Sequence, residues 1–219
     1  PDGCTLFAIH QSAITSYFTG RIDITWDAFE TISMVTSTPS IIGANVNTPY
    51  NNISELVAAA KKAQVSWAAL PPHARARHLY SLARHVQKHA RLIAVVEALD
   101  NGKTIRETRD ADVPIVARWL YHYAGWAQLA PKEMQGWQPV GVIGGIVPWN
   151  FPLMLLTWKV APALAMGNTV VIKSSELAPA VLFEFAKLIE KTGIPKGVVN
   201  IITGFGDPCG KALTTHDLV

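Results

Sequence analysis

Residues 140–152 read VGVIGGIVPWNFP, and this stretch decides the fold. From Val140 to Val147 it is an unbroken apolar run, the mark of a strand covered on both faces. Two prolines then bracket Trp149-Asn150-Phe151 and restrict the backbone there. A helix is expected from about Leu153 to Ala165, and a second buried strand at TVVIK (169–173). An amphipathic helix at PAVLFEFAKLIEKTG (179–193) and a third strand at GVVNIITG (197–204) follow. The order β-α-β-α-β with short connections predicts a parallel sheet with helices on its faces. Three such strands and two crossover helices make one mononucleotide-binding half of a doubly wound, Rossmann-like α/β fold. Only residues 205–219 follow Gly204, so the sheet is expected to be incomplete and truncated. Its third strand would be an open edge, needing another chain or the missing half of its own domain to cover it.

Upstream of this half the periodicity is helical. Ile53, Leu56, Val57, Ala60, Gln64 and Trp67 recur near 3.6 residues, with Asn51 or Asn52 as cap. Pro71-Pro72 ends that helix and begins the next. There Leu79, Leu82, Val86, Ile93, Val96 and Leu99 form one stripe up to Asn101-Gly102, and Gly102 suits the left-handed position after a helix. A third helix is expected from about Asp110 to Gln128, turning Val113, Val116, Leu120 and Tyr123 inward, with Pro114 in its first turns. The chain therefore divides into residues 1–50, an N-terminal extension with weak signals, residues 51–138, a helical segment packing on the coenzyme domain, and residues 139–219, the βαβαβ half. Within the extension, SYFTG and FETISMV are strand-like, and TSTPS and NTPYNN loop-like.

A chain of 219 residues is one large domain or two small ones. Apolar residues make up 49% and charged residues 16%, so the chain is poor in charge and able to build a core. A net charge of +3 gives no clustered basic face, which argues against nucleic acid as a partner. Cys4 and Cys209 cannot make a disulfide framework or a four-cysteine zinc site, in keeping with a reducing compartment. The uncharged run from Met134 to Trp158 is broken by Pro139, Pro148 and Pro152, so no membrane span is expected. The start Pro1-Asp2 lacks the basic region of a secretory signal and an initiator Met, so a processed chain or a fragment is expected, cytoplasmic or mitochondrial and not secreted.

Several motifs carry competing readings. Gly204, Gly206 and Gly210 are spaced G-x-G-x-x-x-G, one residue too long for the dinucleotide fingerprint and after the wrong strand, so a plain strand-to-helix turn is the better reading. Gly204 still permits an adenine ring to approach closely. His85 and His89 share a helix face, but Val86 stands where a zincin needs Glu, and HARARHLYSLARHVQKH reads as a solvated face. Cys209, beside Asp207 and Pro208, lacks the electropositive setting of a nucleophile. Asn150, at the tip of the first strand, either caps the following helix or aims its side-chain N–H at a developing oxyanion. Lys173 and Glu176 end the second strand, where a nucleotide-binding half reads the adenosine ribose. Glu176 in the first turn of an exposed helix start is the plainer reading, and the two can hold together.

Taken together, PVGVIGGIVPWNFPLMLLTWKVAPALAMGNTVVIKSSELAP (139–179) and GIPKGVVNIITGFG (193–206) resemble the first part of the coenzyme domain of the aldehyde dehydrogenase superfamily. DNGKTIRETRDADVPIVARWLYHYAGWAQL (100–129) is similar to the sixteenth aldehyde dehydrogenase family or a near neighbour. The resemblance implies NAD(P)-dependent oxidation of an aldehyde to an acid, in which a cysteine thiolate attacks the carbonyl, hydride passes to the nicotinamide, and a glutamate activates water. It implies that Asn150 stabilises the oxyanion and that Lys173 and Glu176 hold the adenosine ribose. Ile146, Pro148 and Trp149 would line the coenzyme cleft, Gly204 would lie beside the adenine, and Lys159 near the substrate channel. The sequence departs from the family in lacking the segments that carry the nucleophilic cysteine and the general-base glutamate, and in placing Ser174 where a proline is usual. The hairpin APKEMQGWQ is also short. The expectation is a truncated aldehyde dehydrogenase-like protein, inactive alone in the manner of a pseudoenzyme, whose binding of NAD or NADP alone is doubtful. The alternative is a non-catalytic dehydrogenase-like subunit of a larger assembly.

Overall fold

A computed structural model of the chain describes Tyr50 and residues 52–219. The strand-like and loop-like readings before Tyr50, together with Cys4 and Asn51, lie outside the described residues. The elements are α1 (Ile53–Ala69), α2 (Pro72–Lys88), α3 (Ala90–Asn101), the short α4 (Ile105–Glu107), a π-helical turn (Thr108–Asp112) and α5 (Val113–Glu133). The second half comprises β1 (Val142–Ile146), α6 (Pro152–Ala165), β2 (Thr169–Ser174), α7 (Ala180–Lys191), β3 (Val199–Thr203), a second π-helical turn (Gly206–Gly210) and α8 (Lys211–Thr214). Among the described residues no helix is long and apolar enough to cross a membrane.

The three strands pair in parallel in the order β1-β2-β3, with Ile146 opposite Lys173 and Ser174 opposite Thr203. This is the expected incomplete α/β sheet. Every residue of the central strand β2 is buried. Because strand side chains alternate, β2 feeds two cores. Val170 and Ile172 join the larger one, with Leu79, Leu82 and Val86 of α2, Val116 and Leu120 of α5, Leu156 and Val160 of α6, and Phe185 of α7. Val171 joins a smaller one with Val57 and Ala60 of α1, Val142, Ile202, Cys209 and Leu213. The helical segment thus covers both faces of the sheet.

Among the described residues β3 is paired on one side alone, and so is β1. In doubly wound folds the fourth strand adjoins the first, so β1 is the edge that such a strand extends. On the face of β1 that carries α8, a Cβ at Gly144 would meet the side chains of Val219 and Leu213.

Two side chains tie α1 to β2 and α6. Thr169 Oγ1 donates to the Ala60 carbonyl at 3.0 Å, and Trp67 Nε1 to that of Leu164 at 3.1 Å. Arg75, expected on a solvated face, is instead 9% exposed. Its guanidinium donates to the carbonyls of Ala165 (3.1 Å), Ala68 (3.1 Å) and Leu70 (2.5 Å), closing the α1–α2 corner onto the end of α6.

The stripe expected from Leu79 to Leu99 is broken at His89. There the backbone leaves helical dihedrals (φ −106°, ψ 15°) and the ring Nδ1 lies 2.8 Å from the His85 carbonyl oxygen. The bend shifts the phase of α3. Ile93, Ala94, Glu97 and Asn101 turn inward, while Leu99 is 81% exposed. Gly102, at φ 77°, ends α3 as expected. Helical turns begin earlier than Asp110, at Ile105, and Asp112 is drawn inside.

Glu97 is therefore fully buried, and neither carboxylate oxygen has a hydrogen-bond partner among the described residues. Burial first, then the nearby Asp112 charge, raises its pKa from 4.5 to about 7, against the pull of Lys103. The folded pKa lies above the unfolded one, so the protonated form is the one folding favours. Stability is full below about pH 4.5 and is lost as the pH rises through 7. The loss is on the order of 3 kcal/mol. Glu97→Gln should flatten the pH dependence of the urea midpoint between pH 5 and 8, and an unchanged slope would show that another group is responsible. Arg75→Leu strands three carbonyls and should cost on the order of 3 kcal/mol in the same unfolding measurement.

Candidate functional site

Parallel register brings the three strand tips to one level. Val147 N donates to the Lys173 carbonyl at 3.0 Å, carrying the β1–β2 ladder one residue beyond Ile146. Ser174 continues β2 opposite Thr203, and Gly204 follows at once. The next turn is shaped by side chains: Leu177 N donates to Ser175 Oγ at 3.1 Å, and Thr203 Oγ1 to the Ser175 carbonyl at 3.4 Å. In this turn Glu176 accepts from Lys173 Nζ at 3.3 Å. Lys173 is 4% exposed, so its ammonium is presented at the strand end and not in open solvent. The first-turn reading of Glu176 fails, because α7 begins only at Ala180, whose N–H donates to Asp100 Oδ2 of α3 at 2.7 Å.

The turn Gly206–Gly210 closes over the same place. A Cβ on Gly210 would stand 3.6 Å from Ile146 Cδ1 and 3.9 Å from Lys173 Cδ, while one on Gly206 would meet nothing within 4 Å. Ile146 remains 43% exposed, an apolar wall beside a charged pair. Within this turn Cys209 is 1% exposed, and burial pushes its thiol pKa up despite Lys173 nearby. That is the opposite of what a thiolate nucleophile needs.

Asn150 is exposed, in the bend after β1 with Pro148 exposed and Trp149 half-buried. The capping alternative fails too: Phe151 is the residue that caps α6, and no side chain caps it. Lys159 is placed apart from Lys173. A Cβ on Gly145 would lie 3.2 Å from Lys159 Cδ and 2.6 Å from Ile172 Cδ1, so the lysine stem crosses β1 on the α6 side. Lys173 follows Ile172 and points to the opposite face. The structure brings Ile146, Lys173 and Glu176 together with Gly204 one residue beyond the β2–β3 ladder, leaves Asn150 exposed in the bend after β1, and sets Lys159 on the α6 side of β1. The sequence reading passed over Lys103, Asp112 and Glu97. Two acidic residues at inward helical phase were the available signal, hidden by the unforeseen bend at His89.

A parallel half-sheet with a charged pair and a glycine-rich turn at its in-register tips defines the mononucleotide-binding half of a Rossmann-like fold. The model of the Aldehyde dehydrogenase family matches residues 27–219, and the chain belongs to that family. It is 46% identical over 182 residues to (Z)-2-((N-methylformamido)methylene)-5-hydroxybutyrolactone dehydrogenase of Acinetobacter baylyi, covering 77% of this chain and 37% of that one. It is 39% identical over 177 residues to the mitochondrial benzaldehyde dehydrogenase of Antirrhinum majus, covering 75% and 33%. The NAD+ complex of an aldehyde dehydrogenase from Bacillus cereus superposes with a TM-score of 0.72 at 38% identity, covering 76% of this chain and 36% of that one. The chain thus spans about a third of the length of these relatives.

Gly145 is needed where Ile172 and Lys159 cross β1. Gly145→Ala should cost about 1–3 kcal/mol by overpacking and move the Lys159 side chain, read from the unfolding midpoint and from the Lys159 side-chain NMR shifts. Unchanged shifts would mean the lysine does not lie on β1.

Proposed function

We propose that the strand-tip crevice is the adenosine end of the coenzyme site of an NAD(P)-dependent aldehyde dehydrogenase, and that Asn150 is its oxyanion donor. The observation that carries this is the Lys173–Glu176 pair, 3.3 Å apart at the end of β2 beside the exposed Ile146. The residues fit a nucleotide. Glu176 can accept from ribose hydroxyls and Lys173 Nζ can donate to them, while Ile146, Pro148 and Trp149 give the cleft wall. Gly204 is buried where the strand ends, and the open space at Gly206 leaves room for the base. When bound, the nicotinamide accepts hydride from the substrate. The task of Asn150 is to donate its side-chain N–H to the aldehyde oxygen as negative charge develops there. Lys159 is assigned to the substrate side, in agreement with its place on the α6 side of β1.

Covalent catalysis also needs a nucleophile and a base in one constellation. These residues supply the oxyanion donor without either, so the chain alone is assigned no turnover. The free edge of β1 is assigned to the next strand of the doubly wound order, from another chain or from the rest of its own domain. A cytoplasmic or mitochondrial location accords with a mitochondrial relative. Isothermal titration of the chain with NAD should show no binding tighter than about millimolar, the weakness expected of half a site. Micromolar affinity would overturn the claim that the second half is needed, and aldehyde-dependent NADH formation by the chain would overturn its inactivity.

A further inference from the structure

The bend that carries Asn150 is held from beneath by a cluster that the proposed chemistry does not use. Phe151 is half-buried, and Lys103 Nζ lies 3.7 Å from the centroid of its ring. The same ammonium makes a very short ion pair with Asp112, whose side chain is 3% exposed, and lies 3.7 Å from Glu107 Oε1. Lys103 itself is only 10% exposed. Asp112 reaches it from the π-helical turn Thr108–Asp112, which is fixed to α3 by Thr108 Oγ1 donating to the Ala94 carbonyl at 2.9 Å. Behind the pair stands the buried carboxyl of Glu97. A cation withdrawn from water is drawn to the face of an aromatic ring more strongly than an exposed one. Here the buried acids decide where the cation stands, and the cation decides where the ring stands. Phe151 directly follows Asn150 and starts α6, so fixing its ring limits the backbone freedom of Asn150.

We propose that Lys103, clamped between Asp112 and the Phe151 ring, is a positioning residue that orients Asn150. This rests on the oxyanion role proposed above for Asn150, and it adds a device outside the coenzyme crevice. Single π-helical turns within helices frequently lie at functional sites. Here it brings Asp112 to Lys103 across the gap between α3 and α5.

The test is NMR relaxation on the full 219-residue chain. Phe151→Leu removes the ring and keeps an apolar side chain. Lys103→Met combined with Asp112→Asn removes the clamp without stranding a charge, and Lys103→Arg conserves it. In the parent chain the Asn150 amide order parameter should be near the rigid value of about 0.85, falling to about 0.6 or below in Phe151→Leu and in the double variant. It should be retained in Lys103→Arg. The methylene beside Lys103 Nζ should also shift upfield under the ring current, and lose that shift in Phe151→Leu. Amides of β2 should stay rigid throughout. The proposal is overturned if Asn150 is already mobile in the parent, if it stays rigid in Phe151→Leu, or if loosening spreads equally over the sheet as a purely structural role requires. Micromolar NAD affinity or aldehyde-dependent NADH formation by the chain would count against the functional reading and leave these order parameters untouched, so the two can fail separately.

Discussion

The burial of β2 on both faces is the constraint on which the rest depends. A parallel strand flanked on both sides exposes no face to water, so the residues on either side of Val171 must each find a cover. On one face α1, the turn Gly206–Gly210 and α8 supply it; on the other, α2, α5, α6 and α7 do. This is why helices lying far upstream in sequence belong to the same unit as the sheet. It is also why Arg75 is drawn inside: α1 and α2 meet over the end of α6, where carbonyls at Ala68, Leu70 and Ala165 would otherwise lack donors.

The same requirement accounts for the acids in the second layer. With α3 turned by the bend at His89, its inward phase carries Glu97 and Asn101. Charge placed there is tolerated because Lys103 supplies a counter-charge and because Glu97 can hold a proton, which the neighbouring Asp112 of the π-helical turn favours. The cluster lies against Phe151, so the electrostatics of the helical layer reach the segment that bears Asn150. Half a dinucleotide fold thus holds a complete local apparatus for orienting one amide, although the crevice beside it is bounded on one side by a free strand edge.

The βαβαβ order, the parallel direction and the strand-tip location of Lys173, Glu176 and Asn150 were legible in the sequence. Buried parallel strands announce themselves as unbroken apolar runs, and short connections leave few topologies. The relation of Lys159 to Lys173 was not legible in the same way. Both lie near the C-terminal side of the sheet, and only the face each takes, set by the pleat and by the space at Gly145, separates them. The capping reading of Asn150 and the first-turn reading of Glu176 also had to be decided by structure. Helix starts move by a residue or more with no change in pattern, and the cap of α7 is Asp100 from a helix distant in sequence.

By itself the sequence determined the class of fold and the family resemblance, because both reside in local runs whose composition directly reflects burial and turn geometry. Tertiary structure alone decided which polar residues went inside. Arg75, Glu97, Lys103 and Asp112 all have the composition of a solvated surface; Arg75 and the Lys103–Asp112 pair are drawn in by partners from other elements, and Glu97 by the inward phase of α3. Periodicity records the average face of a helix; a single bend such as that at His89 changes the phase, and the interior charge follows from contacts that no local pattern encodes.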